Sequence, residues 1–293
     1  MMQAEAERQT LQDLFSPVAD GLAEVERLLH DLVAEGGGSW LGETVAALLD
    51  AGGKRLRPAL VLFSAHTGDY RPERVVPGAA AMELLHLASL VHDDVIDDGL
   101  LRRGRPTVNS RWGPALAILT GDYLFGKALL ALSGLPSPAA GLMGAAIGEL
   151  VAGEVDQQFS RTEAPGLDRY LTCIGRKTAA LMAACCRLGA GLAGASEPVV
   201  ARLGEYGWWL GMTYQAVDDL LDVRGDPATL GKAVGMDASR GITTLPALLP
   251  LEEARGMVEG FSLQASSEVA GLKPDWLRRT LTDLAGFVLE RGV

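Results

Sequence analysis

The sequence lacks the features of several large protein classes. It contains only three cysteines, Cys173, Cys185 and Cys186, which form no CxxC pair and no zinc-ligand spacing. An odd number of unpatterned cysteines indicates core residues in a reducing compartment. Positive charge is also scarce, because 26 lysines and arginines stand against 37 acidic residues, for a net charge of −11. This balance argues against a nucleic-acid-binding protein, so local cations would have to hold any anionic ligand.

Targeting signals and membrane spans are also missing. Residues 1–13 are polar and acidic, without the basic start and apolar stretch of a signal peptide. Arg187 interrupts the apolar run 178–196, and prolines break the run 129–147. We therefore expect a cytoplasmic protein without a membrane span. No Pro/Ser-rich linker or charge run divides the chain, so we expect one domain over residues 1–293.

Alternating runs of β-branched residues are absent, and the apolar period is helical almost throughout. Residues 22–32 make an amphipathic first helix, and a second helix around 45–49 ends at Gly52-Gly53. Further helices are predicted at 77–98, 114–132, 139–159, 167–194, 197–223, 245–261 and 274–291. The sequence therefore predicts an all-α fold. Small residues spaced four apart, at Gly144 and Gly148 and at Gly207 and Gly211, predict close helix packing.

Two aspartate clusters of the same form are the most informative feature present. The stretch from Asp93 to Asp97 reads DDVID, and the stretch from Asp218 to Asp222 reads DDLLD. On a helix, positions i and i+4 share a face about one turn apart, so the outer aspartates of each cluster can converge on one ion. A single such cluster is commonly a solvated helix end. Two copies bordered by apolar residues indicate a chain that holds a polyanion through divalent cations.

Basic residues accompany both clusters. The stretch Gly52 to Pro58 reads GGKRLRP and puts three positive charges at a glycine-opened helix start, where the dipole and the free N–H groups favour an anion. Residues 101–107 supply three arginines, which can grip phosphate oxygens with paired hydrogen bonds. Lys177 with Thr178 is a further candidate contact, and Lys232 follows the second cluster. Candidate metal ligands and candidate phosphate ligands thus occur together.

Two histidines lie on the helix of the first cluster. His86 is seven residues before Asp93 and shares its face, so it can reach the same cavity, although a satisfied core histidine is an equal alternative. His92 lies six residues from His86, so the two cannot ligate one ion together. A structural role is the better interpretation of His92.

In order and spacing, these motifs resemble those of the trans-prenyl diphosphate synthases. The resemblance runs from about residue 10 to Arg291 and rests on Gly52 to Pro58, Glu83-x-x-His86, Ala88 to Asp98, Arg102-Arg103-Gly104, Gly153-Glu154-x-x-Gln157, Lys177-Thr178, Gln215-x-x-Asp218-Asp219-x-x-Asp222 and Gly231-Lys232. The segment from Ala88 to Asp98 is similar to the catalytic subunits of two-component long-chain synthases.

The resemblance implies a bundle of long helices around a deep cavity, where three Mg²⁺ ions bridge the clusters to the diphosphate of an allylic substrate. The implied metal ligands are Asp93, Asp97, Asp218, Asp219 and Asp222, and the implied catalytic residues are Asp93, Asp94, Asp97, Arg102, Lys177, Asp218 and Asp219. The implied contacts of the allylic diphosphate are Arg102, Lys177, Thr178, Gln215 and Lys232. The implied contacts of isopentenyl diphosphate are Lys54, Arg57, His86 and Arg103.

The expected reaction is head-to-tail elongation by five carbons. Ala88 and Ser89, five and four residues before Asp93, are small where short-chain members of the family place an aromatic floor, and Leu85 and Met82 lie further down. This predicts an open tunnel and a product of about six to ten isoprene units, as in quinone side chains. The alternative is that the small residues only pack against a neighbouring helix.

Other functions of the same cavity stay open. A short-chain farnesyl or geranylgeranyl diphosphate synthase is the first alternative. A class I terpene cyclase would have a differently spaced second acidic motif, and a non-catalytic partner subunit would have eroded aspartates. Ile242 stands where many family members have a lysine, which removes one phosphate contact. The loss is expected to weaken activity or to make it depend on a small partner subunit. The resemblance implies a homodimer, or a heterodimer with a small regulatory subunit.

Overall fold

A computed structural model describes residues 2–34, 39–136, 138–161, 165–224 and 241–291, which are almost entirely helical. The helices are α1 (Met2–Phe15), α2 (Ala19–Ala34), α3 (Trp40–Asp50), α4 (Leu56–Ala65), α5 (Pro72–Ile96), α6 (Val108–Trp112), α7 (Pro114–Leu132), α8 (Pro138–Ser160), α9 (Leu167–Ile174), α10 (Ala180–Leu192), α11 (Glu197–Arg224), α12 (Leu245–Leu248), α13 (Leu251–Val269) and α14 (Asp275–Glu290). Strands β1 (Leu101–Arg102) and β2 (Arg105–Pro106) form one antiparallel hairpin between α5 and α6. The all-α prediction is confirmed.

Helix α5 lies at the centre of the core. It packs against α2, α4, α7 and α10, and its side chains are buried along nearly the whole length, with Met82, Leu84 and Ala88 at 0% exposure. A helix that is apolar on all sides belongs in the interior of a protein. The first aspartate cluster therefore lies at the end of a helix whose position is fixed by packing on every side.

Helix α11 carries the second cluster and packs against α10, α13 and α14. Added Cβ atoms would lie 2.6 Å from the Met182 carbonyl oxygen at Gly207 and 2.4 Å from the Ala179 Cα at Gly211. The predicted close packing is confirmed for this pair of glycines. Gly144 and Gly148 face open space within the described part of the chain, so close packing at that pair stays a prediction.

Several helices differ from their predicted bounds. The predicted helix 167–194 is divided into α9 and α10 by a π-helical turn, Gly175–Ala179. The predicted helix 245–261 is broken before α13 by Pro250, which lacks an N–H and stands at the N-cap. Helix α5 begins at Pro72, earlier than predicted, and contains Pro77 in its second turn.

The three cysteines are buried and free, as the sequence predicts. Burial raises the pKa of the Cys173 thiol to about 11 and that of Cys186 to about 12. Burial also raises the pKa of Cys185 well above its usual value. All three thiols are therefore protonated core side chains at neutral pH.

Two helices, α5 and α7, have the length and apolar composition of a membrane span. This differs from the sequence-based expectation that no such run exists. The most apolar window of α5 is 78% buried, so its composition is explained by its place in the core. The corresponding window of α7 is only 39% buried, which leaves an apolar side exposed.

Candidate active site

Both aspartate clusters contribute to one cavity of about 220 Å³, named here the aspartate cavity. Asp93 and Asp97 reach it from the end of α5, and Asp219 reaches it from α11. The other lining residues used below are Leu90, Arg102, Gln157, Tyr170, Lys177, Thr178, Gln215 and Ile242. The structure thus brings together acids and bases that lie far apart in the sequence.

The buried position of Asp93 disfavours its charged form. Burial raises the pKa of its carboxyl to about 6, although the nearby ammonium of Lys177 acts in the opposite direction. Both clusters also lie in the last turns of their helices, where the helix dipole disfavours negative charge. A cation bound in this cavity would therefore be stabilised by the buried Asp93 carboxylate and by the C-terminal ends of both helix dipoles.

Asp94 faces away from the aspartate cavity and holds an arginine. The Arg102 Nε donates to both Asp94 carboxylate oxygens, at 2.9 and 3.1 Å. The β hairpin positions Arg102 because Arg103 and Gly104, with φ of 52° and 73°, form the two-residue turn between its strands. Thr107 ties the hairpin to α5 by a 2.6 Å hydrogen bond to the Gly99 carbonyl. Asp94 therefore orients Arg102 beside the cluster.

Lys177 enters the cavity from the π-helical turn. Its Nζ lies 2.5 Å from both Gln157 Oε1 and Glu154 Oε2 of α8. An added Cβ at Gly153 would lie 2.6 Å from the Lys177 backbone nitrogen, so only glycine permits this approach of the turn to α8. Burial lowers the pKa of Lys177, but attraction to Asp93 and Glu154 outweighs it and the net pKa is raised. The ammonium group therefore stays charged.

Asp219 is fixed by a chain of hydrogen bonds. Its carboxylate accepts from the Tyr170 hydroxyl at 2.7 Å, the Leu245 backbone N–H at 3.0 Å and the Gln215 side-chain amide at 3.1 Å. The Gln215 oxygen in turn accepts from the Thr178 hydroxyl at 3.0 Å. Three predicted site residues of this wall thus form one connected network.

The other two aspartates of the second cluster have different surroundings. Asp218 does not line the aspartate cavity, and its Oδ1 lies 3.6 Å from the Arg291 guanidinium. Asp222 is buried, with 1% of its surface exposed, and does not line the aspartate cavity. Lys232, the last predicted contact of the allylic diphosphate, lies outside the described residues.

Two residues of the site were not found by sequence reasoning. Arg161, just after α8, places its Nη2 2.5 Å from Asp97 Oδ1, and Tyr170 of α9 holds Asp219. Neither stands at a motif spacing from the clusters. The predicted helix bounds held only a weak signal, since Arg161 follows the predicted helix 139–159 by two residues and Tyr170 lies in the first turn of the predicted helix 167–194.

A second group of cations surrounds His86. Burial lowers the pKa of His86 well below its usual value, and the charges of Arg57 and Arg103 lower it further. The imidazole is therefore neutral. Arg57 has a buried Nε with no hydrogen-bond partner among the described residues, which is the state expected of a group that awaits an anion. An added Cβ at Gly53 would lie 3.0 Å from the Arg103 guanidinium, so the glycine lets that side chain approach.

Only part of the basic stretch Gly52 to Pro58 is available to a ligand. Arg55 donates to Glu83 at 2.8 Å and also pairs with Glu26, so its charge is neutralised inside the protein. Lys54 is exposed just before the start of α4. Of the three charges predicted at this helix start, one thus has a structural role.

The predicted chain-length residues lie below Asp93 in the core. Ala88, Leu85 and Ser89 are exposed by 0%, 1% and 6%, and the Ser89 hydroxyl donates to the His86 carbonyl at 2.8 Å. None of the three lines the aspartate cavity, which reaches only to Leu90 on this helix. An open tunnel, as the sequence predicts, is therefore not seen at these residues.

The donors of the cavity suit a divalent cation. No three His, Cys, Asp or Glu side chains in the described ranges gather as a ready-made metal site. Asp93 and Asp97 nevertheless stand one turn apart on one wall with Asp219 on another, and carboxylate oxygens are the ligands that Mg²⁺ prefers. Burial is the main cause of the raised pKa of Asp93, and a bound cation would stabilise its ionised form.

An all-α bundle in which two aspartate clusters line one cavity, beside a second group of cations, defines an isoprenoid synthase of the prenyltransferase class. The polyprenyl synthetase family model matches residues 38–268. The chain belongs to this family and is a trans-prenyltransferase, a class of enzyme that depends on divalent metal.

Relatives and solved structures agree with this assignment. The chain is 46% identical over 248 residues to heptaprenyl diphosphate synthase component 2 of Geobacillus stearothermophilus, covering 84% of this chain and 77% of the relative. The crystal structure of a decaprenyl diphosphate synthase from Rhodobacter capsulatus is similar with a TM-score of 0.90 and 32% identity, covering 97% of this chain and 99% of that one. A polyprenyl synthase from Caulobacter crescentus, complexed with calcium and isoprenyl diphosphate, has a TM-score of 0.88 and 29% identity and covers 97% and 98%.

Proposed function

We propose that this enzyme condenses isopentenyl diphosphate head to tail with an allylic diphosphate, and repeats the step to a long-chain all-trans polyprenyl diphosphate for quinone side chains. The observation that carries the proposal is the aspartate cavity. Its walls contain the acids Asp93, Asp97 and Asp219 together with the bases Arg102 and Lys177. Acids that hold metal and bases that hold phosphate are thereby within one small volume.

The leaving diphosphate would be held by residues of three elements. Lys177 stays charged in its buried position, and Arg102 is oriented by Asp94, so both can donate to phosphate oxygens. Thr178 and Gln215 add neutral donors from the network that fixes Asp219. Lys232 completes the proposed set outside the described residues. Three Mg²⁺ ions, held by Asp93, Asp97, Asp218, Asp219 and Asp222, would supply further positive charge to the departing diphosphate.

These groups lower the barrier to breaking the carbon–oxygen bond because they stabilise the negative charge that develops on the leaving oxygen. The bonding electrons leave with the diphosphate, and an allylic carbocation remains. No side chain needs to be a strong base in this step. Positioning and electrostatics therefore account for catalysis, which fits the absence of a catalytic dyad from the motifs.

Isopentenyl diphosphate would bind at the second group of cations. Arg57, Arg103 and Lys54 offer charged donors, and the neutral His86 offers an uncharged one. The double bond of the bound molecule attacks the allylic cation, so a carbon–carbon bond forms and the positive charge moves to a tertiary carbon. Loss of a proton to the released diphosphate then restores a double bond.

The proposed chain length rests on the small side chains of Ala88 and Ser89 below Asp93, with Leu85 and Met82 further along α5. A growing tail of six to ten isoprene units would have to enter the core here and move apolar neighbours aside. The heptaprenyl and decaprenyl names of similar proteins support a long product. A farnesyl or geranylgeranyl diphosphate synthase is the alternative, and the cavity that stops at Leu90 favours it.

We further propose that the active species is a cytoplasmic homodimer, formed by the exposed apolar faces of α7 and α8. Leu119 and Leu129 of α7 are 58% and 56% exposed, and Val151 and Val155 of α8 are 52% and 47% exposed. An apolar surface of this kind is typical of an interface. A membrane span is not proposed for α7, because the same face would be covered by the second copy. The name "component 2" of the Geobacillus relative supports a heterodimer as the alternative.

The test is to incubate the purified protein with Mg²⁺, isopentenyl diphosphate and farnesyl diphosphate and to measure the lengths of the extracted products. Linear diphosphates longer than C20 are expected, and Asp93→Ala or Asp218→Ala should nearly abolish them. Cyclic hydrocarbons would instead identify a terpene cyclase. If no product formed even after addition of a small partner subunit, the chain would be non-catalytic.

A further inference from the structure

A second cavity of about 450 Å³ lies on the other side of α5, between α3, the β hairpin and α6. Its deepest lining is apolar, with Leu87, Val91 and Val108 exposed by only 4%, 3% and 6%. Trp40 and Trp112 form one wall, with ring centroids 5.6 Å apart and ring planes at 88°. This volume is in the usual range for small-molecule pockets. We name it the α3–hairpin cavity.

The lining of this cavity carries net positive charge, because its four arginines outnumber its two acids, Glu43 and Asp94. Arg105 and Arg111 are exposed lining residues, and neither forms an ion pair within the described part of the chain. The Arg111 guanidinium lies 5.2 Å from the Trp112 ring centroid, a contact that orients the group without cancelling its charge. An apolar floor under a cationic rim is complementary to a molecule with an apolar body and an anionic head.

The two cavities share structural elements. Leu90 and Arg102 line both of them, and Asp94 faces the α3–hairpin cavity while Asp93 and Asp97 face the aspartate cavity. The ion pair between Arg102 and Asp94, formed through both Nε and Nη2, therefore stands in the wall between the two cavities. An anion beside Arg102 in the α3–hairpin cavity would compete with Asp94 for its donors and withdraw the arginine from the other side.

We propose that the α3–hairpin cavity is a regulatory site that binds a short allylic prenyl diphosphate, with two or three isoprene units on the apolar floor and the diphosphate at the arginine rim. This inference rests on the proposed function, because such molecules are the substrates and early products of that reaction. Occupancy draws Arg102 away from the aspartate cavity and inhibits turnover. High concentrations of the allylic substrate thus slow their own consumption.

Binding can be measured without turnover. Two of the five tryptophans line this cavity, and no tryptophan is among the described residues that line the aspartate cavity. In EDTA, the unreactive analogue farnesyl thiodiphosphate should quench tryptophan fluorescence, and the combined substitutions Trp40→Phe and Trp112→Phe should remove the quenching. Quenching that persists in this variant would place the ligand elsewhere and overturn the proposal. Because the assay needs no product, its outcome is separate from that of the elongation assay.

A cavity-filling variant supplies the second measurement. Ala47→Phe adds a ring from the exposed lining of α3, and Ala201→Phe, at an equally exposed position of α11, is the matched control. We expect at least tenfold weaker binding of the analogue by Ala47→Phe and the loss of inhibition at high farnesyl diphosphate, with turnover at low substrate unchanged. The control should behave as the unmodified protein.

Three further ligands and a sedimentation measurement test whether the α3–hairpin cavity instead binds another kind of molecule or a protein partner. Inorganic diphosphate, farnesol and palmitate should each bind far more weakly than the analogue. Equal binding of diphosphate or farnesol would show that only one half of the molecule is recognised, and equal binding of palmitate would show a general amphiphile site. If Ala47→Phe instead changed the sedimentation of the protein and left analogue binding intact, the cavity would be a protein interface.

Discussion

Arg161 binds Asp97, with 2.5 Å between Nη2 and Oδ1, so an arginine from the end of α8 holds a candidate metal ligand of α5. The two residues are otherwise separated by the full length of α7 and α8 in the chain. The guanidinium is 25% exposed and the carboxylate 17%, so the pair is only partly screened by solvent. A cation that binds Asp97 has to replace this arginine.

Replacement of Arg161 by methionine should therefore tighten metal binding in the absence of substrate. A partly buried charge-assisted contact contributes about 1 kcal/mol, so its loss should lower the Mg²⁺ concentration for half-maximal thermal stabilisation by roughly fivefold. The measurement is Tm as a function of Mg²⁺ concentration.

Arg176→Met is the matched control, because Arg176 pairs with Asp156 and Glu149 and does not line the aspartate cavity. This variant should leave the Mg²⁺ dependence of Tm unchanged. A weaker response to Mg²⁺ in Arg161→Met would contradict the competition and would indicate that Arg161 supports the metal site.

Asp93→Asn should stabilise the metal-free protein at neutral pH while it removes activity. The pKa of Asp93 is raised to about 6, above its unfolded value, so its contribution to stability is present below pH 4 and is lost as the pH rises through 6. The neutral amide avoids this loss, which amounts to about 3 kcal/mol at most. Denaturation in EDTA should show a higher Tm for the variant at pH 7.5 and no gain at pH 4. A gain of equal size at both pH values would show that ionisation of Asp93 is not the cause.

Ile242→Lys should strengthen binding of the allylic diphosphate. Ile242 is a partly buried lining residue of the aspartate cavity, so a lysine there adds an ammonium within reach of the proposed phosphate site. A severalfold lower KM for farnesyl diphosphate is expected, with little change in kcat. Ala247→Lys, at an exposed position of α12, adds the same charge outside the cavity and should leave KM unchanged. An unaltered KM in Ile242→Lys would mean that the side chain at position 242 does not face the bound allylic diphosphate.

A series at Ala88 tests the path of the tail. Substitution by valine, leucine and phenylalanine should shorten the longest product in steps, because each larger side chain obstructs more of the path that the tail would have to open below Asp93. Ala285→Phe is the control, since Ala285 is equally buried but lies on α14. The control should lower Tm to a similar extent without any change in product length. Constant product length across the Ala88 series would refute the assignment of this face to the tail.

The helical fold could be predicted from the apolar period, and the shared location of the acids and bases was implied by the resemblance to the trans-prenyl diphosphate synthases. Helices of the right length place Asp93 and Asp97 one turn apart whatever the rest of the chain does. Lys177, Thr178 and Gln215 were found from their order along a family pattern, and the structure brings all three to the aspartate cavity. Their proposed roles in catalysis stay predictions.

Contacts set by tertiary packing could not be predicted. Arg161 and Arg55 each bind a carboxylate of another helix, a partnership that no spacing encodes. The break at Pro250 had a visible cause, but the π-helical turn had none, since Gly175 to Ala179 continues the helical period. The hairpin was equally hidden, because its strands contain two residues each.

The π-helical turn has a consequence for engineering. Such a turn pairs each N–H with a carbonyl five residues earlier and so accommodates one amino acid more than the ordinary helical repeat. Deletion of a single residue between Gly175 and Ala179 would let α9 and α10 join as one continuous α-helix. Either the Lys177 ammonium or the apolar side of α10 would then rotate out of place, so a change in the length of this segment should disrupt the aspartate cavity.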